Sequence, residues 1–200
     1  YAPATMPAHA ADTPRQVLLF SGHFVDAPGR SAPRFPAAKE PVAARRIAEV
    51  LARLGAGPAD LALTQGAAGG DLLFAEACVE RGVPVQLLLP LPEPEFIQRS
   101  MLTCEGGEGW RARYLPLKPR LGQAPRTADE VLGPLHPGDD AFERGNRWLL
   151  DTALAHGAQR LQFIALWDGA GGDGPGGTRH MVESVRHAQG HVHWIDTRKL

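Results

Sequence analysis

The sequence predicts an α/β fold, namely a Rossmann-like, doubly wound parallel sheet of about five strands with helices on both faces. Three observations lead to this prediction. Short apolar runs alternate with stretches of helical periodicity, several of those runs are almost uninterrupted, and glycine follows four of the predicted helices. Nearly continuous apolar runs are typical of strands that are covered on both faces, as in parallel sheets.

The predicted strands are the apolar runs that begin after a turn or a glycine. They cover residues 16–20, 60–64, 84–89, 160–167 and 191–195. Between them, apolar side chains recur at the spacing of one helix face, as in Ile47, Val50, Leu51 and Leu54. A second such stripe contains Met181, Val182, Val185 and Ala188. The glycines expected to end helices in the left-handed conformation are Gly55, Gly82, Gly157 and Gly190.

The chain divides into an arm and one domain. Residues 1–15 are rich in Ala, Pro and Thr without periodicity, which predicts a linker or a disordered arm. Residues 16–198 form a single predicted domain. Within it, residues 105–140 break the strand–helix rhythm, and we expect a long loop with a short helix at 110–114. Such a loop is either a lid or binding loop or an insertion without a role, and the sequence leaves both open.

Composition excludes several classes of protein. A net charge of −1 argues against a nucleic-acid binder, which needs a basic surface. The cysteines Cys78 and Cys104 have neither disulfide nor metal spacing, so we predict no metal, no cofactor and a cytoplasmic setting. No apolar run approaches the ~20 residues that span a bilayer, so no membrane partner is expected. The chain reads as one domain of a longer protein, whose other domains are expected partners, and homo-oligomerisation stays open.

Loops at the carboxyl ends of the strands are the expected binding region, because open parallel sheets bind ligands there. Three of these loops are rich in glycine or in polar residues. The first loop contains Ser21, Gly22, His23, Asp26, Arg30 and Arg34; the second contains Gly66, Gly69, Gly70 and Asp71; the fourth contains Asp168, Gly176, Gly177 and Thr178. The third loop, residues 90–96, is short and proline-bearing.

The second and fourth loops share one physical property. Each follows an apolar strand and runs into a helix start, where free backbone amides and the helix dipole attract an anion. Glycine allows the backbone to approach a phosphate closely, so we predict a phosphate-bearing ligand between these loops. The chain has no Gly-Lys-Ser/Thr loop and no Gly-x-Gly-x-x-Gly after the first strand. Nucleotide hydrolysis of the P-loop type and ordinary nicotinamide-dependent oxidoreduction are therefore not predicted.

These motifs resemble the SLOG superfamily of Rossmann-like domains. The resemblance is carried by Ser21-Gly22, by Gly66-x-x-Gly69-Gly70-Asp71 with Ala75-Glu76, and by Asn146 and Arg147 ahead of Gly176-Gly177-Thr178. It covers residues 16–197, and the second loop is most similar to the DprA-like branch. The resemblance implies a nucleotide pocket at these loops. Members of the superfamily bind nucleotides or NAD-derived signals, or cleave N-glycosidic bonds.

One position departs from the pattern of the cleaving enzymes. Their LOG branch has Glu three residues beyond the Thr of the glycine motif, whereas Glu183 lies five residues beyond Thr178. Five helical positions turn a side chain by ~140° from the starting face. The leading hypothesis is therefore a domain of a larger bacterial protein that binds or senses a nucleotide or an NAD-derived ligand, and the sequence favours binding over catalysis without deciding between them. The alternatives are an N-glycosidase that uses Glu183, Asp71 or Asp26 as its acid, and a non-catalytic scaffold or oligomerisation domain.

Several charged residues allow two interpretations. Asp71 either contacts a ribose hydroxyl or simply occupies the first turn of a helix, where a carboxylate is stabilised. Arg144, Asn146 and Arg147 either bind phosphate or are ordinary solvated residues of a helix. The expected ligand-binding set is Ser21, Gly22, His23, Arg30, Arg34, Gly66, Gly69, Gly70, Asp71, Arg144, Asn146, Arg147, Asp168, Gly176, Gly177 and Thr178.

Overall fold

The protein is described by a computed structural model, which covers residues 13–170 and 177–200. Its centre is a parallel sheet of six strands in the order β4-β3-β2-β1-β5-β6. The strands are β1 Val17–Gly22, β2 Leu61–Thr64, β3 Val85–Leu89, β4 Arg126–Thr127, β5 Leu161–Trp167 and β6 His191–Asp196. The helices are α1 Glu40–Arg53, α2 Gly70–Glu80, α3 Glu93–Ser100, α4 Gly107–Leu117, α5 Ala128–Leu132, α6 Ala141–Leu154 and α7 Thr178–His187.

Helices cover both faces of this sheet, as the sequence predicts. Successive side chains of a strand point to opposite faces. Leu18 and Phe20 of β1 accordingly join a core that includes Ile47 of α1, whereas Leu19 joins a second core that includes Leu149 of α6. The predicted α/β, doubly wound parallel fold is thereby confirmed.

Residues 105–140 contain more regular structure than the sequence predicts. The short helix expected at 110–114 is part of the longer α4, and α5 and the two-residue strand β4 were not expected. Trp110, Tyr114 and Leu117 are buried on one face of α4, which explains why a helix forms despite Pro116. The third predicted loop is shorter than expected, because α3 already begins at Glu93.

One prediction at the chain's turns needs correction. Gly55, Gly82 and Gly157 have positive φ as expected, but after α7 the left-handed residue is Gln189, at φ 63°. Gly190 instead allows close packing, because a Cβ there would lie 2.8 Å from Cγ1 of Val185. Residues 1–12 of the predicted arm lie outside the described part, and its last residue, Arg15, is held by Asp60.

Candidate functional site

The winding of the sheet reverses between β1 and β5. From β1 the chain proceeds through β2 and β3 to β4, and it then returns to pair β5 with the opposite side of β1. The crevice at the carboxyl ends of two such strands is the usual ligand position in open α/β sheets. A cavity of about 500 Å³ opens here, a volume in the range of small-molecule sites.

The cavity brings together residues that are far apart in the sequence. Its walls come from the loops after β1, β2 and β5, from the start of α2 and from α6. The predicted site residues that line it are Ser21, Gly22, His23, Asp26, Arg30, Arg34, Asp71, Asn146, Gly177 and Thr178. Most of the first predicted loop and the described start of the α7 helix therefore share one space.

The glycines of the second predicted loop do not line the cavity. A Cβ on Gly70 would lie 2.8 Å from the Phe20 ring and from Leu166, and one on Gly69 would lie 2.8 Å from the Val25 nitrogen. Gly66, at φ 85°, packs in the same way against Leu87. Close packing inside the fold thus accounts for these three glycines in the structure.

The first loop is organised by Asp26. Its carboxylate accepts hydrogen bonds from the backbone nitrogens of Arg34 and Phe35, both at 2.9 Å. The Arg30 guanidinium lies 3.5 Å from the same carboxylate. These contacts compensate the charge of Asp26 within the loop, so its role in the structure is to shape the wall of the cavity.

The start of α7 supplies hydrogen-bonding groups at the opposite wall. Gly177 precedes the helix and has no side chain that can cap the first-turn amides. Thr178 places its hydroxyl oxygen 3.3 Å from that of Ser21, at the end of β1. The start of α6 differs, because Asp140 caps it by accepting a hydrogen bond from the Glu143 nitrogen at 2.8 Å. The first turn of α7 is therefore the helix start suited to an anion in this cavity.

Helix α6 runs along one side of the cavity. Phe142, Asn146 and Leu149 line it from successive turns, and the rise from the first to the last is about 10 Å. Asn146 is held by Gln65 at the end of β2, whose Nε2 donates to its Oδ1 at 2.8 Å. Phe142 packs edge-on against Phe24, with ring centroids 5.9 Å apart. The cavity therefore has an amide pair flanked by an aromatic wall.

Asp71 is the most unusual ionisable group of the cavity. It lies in the first turn of α2 and is 5% exposed. Burial raises the pKa of its carboxyl to about 7, although the backbone amides of the Gln65–Ala67 loop act in the opposite direction. Near neutral pH this side chain can therefore both donate and accept a proton at the cavity wall.

His23 and Asp168 join the loops that follow β1 and β5. The Asp168 nitrogen donates to Nε2 of His23 at 3.3 Å, and the Asp168 carboxylate lies 3.4 Å from the same ring nitrogen. Burial acts to raise the pKa of Asp168, but the Ala170 amide and His23 hold that pKa below its ordinary value. Asp168 thus positions His23, which itself lines the cavity.

The remaining predicted residues are not brought to the cavity. Arg144 donates from Nη1 to the Gly133 oxygen at 2.9 Å, and Arg147 pairs with Glu143. Glu183 is 60% exposed and pairs with Arg179 on the solvent side of α7. Gly176 lies outside the described residues.

Several residues that line the cavity were not predicted. They are Phe20, Phe24, Gln65, Thr103, Cys104, Asp140, Phe142, Glu143, Leu149 and Trp167, among others. One signal was available in the sequence. Phe142 and Asn146 are four residues apart on a predicted helix, so they share a face. Thr103 and Cys104 reach the cavity only through tertiary packing, which no local pattern reveals.

Comparison with known proteins adds no relative. A scan against protein-family models finds no match for this chain, and a search of curated proteins finds no similar sequence.

Within residues 13–170 and 177–200, no group of three or more His, Cys, Asp or Glu side chains is arranged to hold a metal ion. Across the same residues, no helix is both long and apolar enough to cross a bilayer.

Proposed function

We propose that this chain is a SLOG-like domain that binds a nucleotide or an NAD-derived ligand in the cavity between β1 and β5. The observation that carries the proposal is the position of the first turn of α7. It faces a cavity at the switch point of the sheet, with the hydroxyls of Ser21 and Thr178 beside it. A phosphate group placed there receives backbone N–H groups, two hydroxyls and the positive end of a helix dipole.

The charges of the cavity are compatible with an anionic ligand. Asp26 is compensated by the backbone of its own loop, and Glu143 is paired with Arg147. Asp140 accepts a hydrogen bond at the start of α6, which occupies one of its oxygens. Arg34 lines the cavity on the side of the first loop, whereas the Arg30 guanidinium is already paired with Asp26. A guanidinium group at the cavity wall suits a phosphate or pyrophosphate.

Calorimetric titration tests this proposal. The 200-residue chain is titrated with AMP, ADP, ADP-ribose and NAD, and the melting temperature is measured at saturating concentrations of each. We expect saturable binding of at least one of them. Replacing both Ser21 with Ala and Thr178 with Val should weaken that binding about a hundredfold or more, since each of the two lost hydrogen bonds to a charged group contributes about 1.5–3 kcal/mol.

A variant on the same helix serves as the control. Ser184→Ala removes a hydroxyl from α7 at a position that does not line the cavity, so it should bind as the unmodified chain does. Equal weakening by Ser184→Ala and by the double variant would contradict the assigned phosphate position. Absence of binding for all four compounds would refute the proposed function.

The protonation of Asp71 supports a second candidate, hydrolysis of an N-glycosidic bond. In such a reaction a carboxylic acid protonates the departing base while water adds to the sugar carbon, and the carboxylate then takes the proton of that water. Of the three acids proposed from the sequence, Asp71 is buried at the cavity, Asp26 is held by backbone amides of its own loop, and Glu183 is exposed outside the cavity. Asp71 is therefore the candidate acid.

Chromatography separates this candidate from a pure binding function. Each nucleotide is incubated with the protein, and the free base is quantified. Release that is abolished by Asp71→Asn and kept by Glu183→Gln supports the hydrolase. Saturable binding without any released base supports the sensor.

A further inference from the structure

The cavity is lined by chemically different groups, and its aromatic residues have no role in the binding of a phosphate. The first turn of α7 and the hydroxyls of Ser21 and Thr178 form one part of the lining. The rings of Phe142, about two turns of α6 before Leu149, and of Phe24 form the aromatic wall, and both rings are half-buried. The Gln65–Asn146 amide pair lies between Leu149 and Phe142 along the helix.

Carboxylates accompany the aromatic wall. Asp140, the N-cap of α6, and Glu143, in its first turn, line the cavity and flank Phe142 in the sequence. Arg99 lies over the Phe142 ring, with its guanidinium carbon 5.2 Å from the ring centroid. This part of the cavity therefore combines aromatic surface with hydrogen-bond acceptors. An ionised carboxylate has no proton to donate, so it selects ligand groups that carry N–H.

From this juxtaposition we infer that the aromatic wall of Phe24 and Phe142 holds a nucleobase, and that Asp140 and Glu143 select a base with an exocyclic amino group. The inference rests on the proposed nucleotide function and specifies its ligand. Stacking on an aromatic ring is available to every base, so the wall contributes affinity without selection. Selection comes from the carboxylates, which accept hydrogen bonds from an amino group but face repulsion from a carbonyl oxygen at the same position.

Isosteric substitutions isolate the role of the carboxylates. Asp140→Asn keeps the helix cap, because Asn and Asp are equally good at that position. Glu143→Gln keeps the length of the side chain and an oxygen that can accept from Arg147. Each change nevertheless introduces an N–H₂ donor beside the base. Asp151→Asn, an exposed position on the same helix that does not line the cavity, is the matched control.

The experiment compares AMP, GMP and IMP by calorimetric titration of the 200-residue chain. IMP has a carbonyl oxygen in place of the amino group of AMP, and it lacks the amino group of GMP. We expect AMP or GMP to bind at least about tenfold more tightly than IMP, and this ratio to approach one in Asp140→Asn combined with Glu143→Gln. Phe142→Leu should weaken all three by about tenfold without changing the ratio. Asp151→Asn should change neither.

Two results would overturn the inference. Equal affinities for AMP, GMP and IMP would show that the carboxylates do not read the base, while leaving the nucleotide function intact. A preference for AMP or GMP that persists in the double variant would assign selection to other residues. If none of the three nucleotides binds, and ADP-ribose and NAD also fail, the proposed function itself fails together with the inference.

Discussion

The hydroxyl oxygens of Ser21 and Thr178 lie 3.3 Å apart, although 157 positions separate these residues in the chain. Ser21 is the penultimate residue of β1, and Thr178 begins α7 after β5. Their contact joins the two loops at the point where the sheet reverses its winding, and it forms one wall of the cavity. The predictions below follow from this cavity and from the packing that supports it.

The packing of α6 against the loop after β3 predicts an unusual effect of an alanine substitution. Gly145 lies inside α6, and a Cβ there would lie 2.6 Å from Cβ of Pro90 and 3.1 Å from Nε2 of Gln65. Gly145→Ala should therefore lower the free energy of unfolding by about 1–3 kcal/mol, against the helix preference for alanine. Chemical denaturation measures this change.

A glycine in α4 provides the comparison. Gly109 has no neighbour within 4 Å of the added Cβ, so Gly109→Ala should raise the free energy of unfolding by up to about 1 kcal/mol. A stabilising effect at both positions would contradict the close approach of α6 to Pro90.

The protonation of Asp71 predicts a pH-dependent stability. Its pKa is raised to about 7 in the folded chain from an ordinary value of 3.8. The folded state therefore retains a proton that the unfolded state releases between these pH values, and the free energy of unfolding falls as pH rises from about 4 to about 7. Asp71→Asn has no such proton. The free energy of unfolding of Asp71→Asn minus that of the unmodified chain should therefore increase by about 3 kcal/mol between pH 5 and pH 8, because one pKa unit corresponds to about 1.4 kcal/mol.

Denaturation of both proteins at several pH values measures this difference. A gap between the two that stays constant from pH 5 to pH 8 would show that Asp71 ionises in the folded chain as it does in water. Binding of an anionic ligand close to Asp71 should raise its pKa further, so saturation with ligand should extend the pH-dependent range upward.

The contact between Arg15 and Asp60 predicts that the domain needs residues before β1. Asp60 is 3% exposed, and its carboxylate accepts from Nε and Nη2 of Arg15 at 2.9 and 2.8 Å. Arg15→Ala leaves a buried carboxylate without its guanidinium partner, which should cost about 1–3 kcal/mol of folding free energy. Arg46→Ala removes an exposed pair with Glu49 and should cost less than about 0.5 kcal/mol. Comparable losses in these two variants would contradict a structural role for Arg15.

The position of Glu183 predicts that its charge does not affect ligand binding in the cavity. The side chain is 60% exposed and bonded to Arg179 at 3.0 Å. Glu183→Gln should leave ligand affinity unchanged and should change stability by less than about 0.5 kcal/mol. Ligand affinity is measured by titration with a nucleotide that binds, and stability is measured by thermal unfolding. A tenfold loss of affinity would place Glu183 in the site after all.

The elements predicted from sequence are those whose pattern is local. Strands β1, β2, β3, β5 and β6 are nearly continuous apolar runs, and α1 and α7 have clear apolar stripes. Strand β4 has two residues, too few for any pattern, and its pairing with β3 depends on the tertiary position of residues 126–127. Helix α4 was expected only at residues 110–114, because the glycines and the proline around it obscured the rest of its buried stripe.

The candidate site was only partly predictable for a different reason. The rule for ligand position in parallel sheets selected the loops after β1 and β5, which contribute to the cavity in the structure, because the rule depends on topology alone. Glycine in a βα loop, however, has two explanations: a ligand that approaches the backbone, or another part of the protein that packs against it. Gly69 and Gly70 belong to the second class, and only the positions of Val25 and Phe20 in three dimensions distinguish the two.

The most direct test of the central claim is a titration followed by ¹H–¹⁵N correlation spectroscopy, with the tightest-binding nucleotide of those above. The proposed binding position predicts that the backbone amides of Gly22, Gly177 and Thr178 and the side-chain amide of Asn146 shift together and saturate at one ligand concentration. The backbone amide of Gly109 on α4, which does not line the cavity, should stay unchanged. Shifts at Gly109 without shifts at Gly22 and Thr178 would place the ligand elsewhere and contradict binding between β1 and β5.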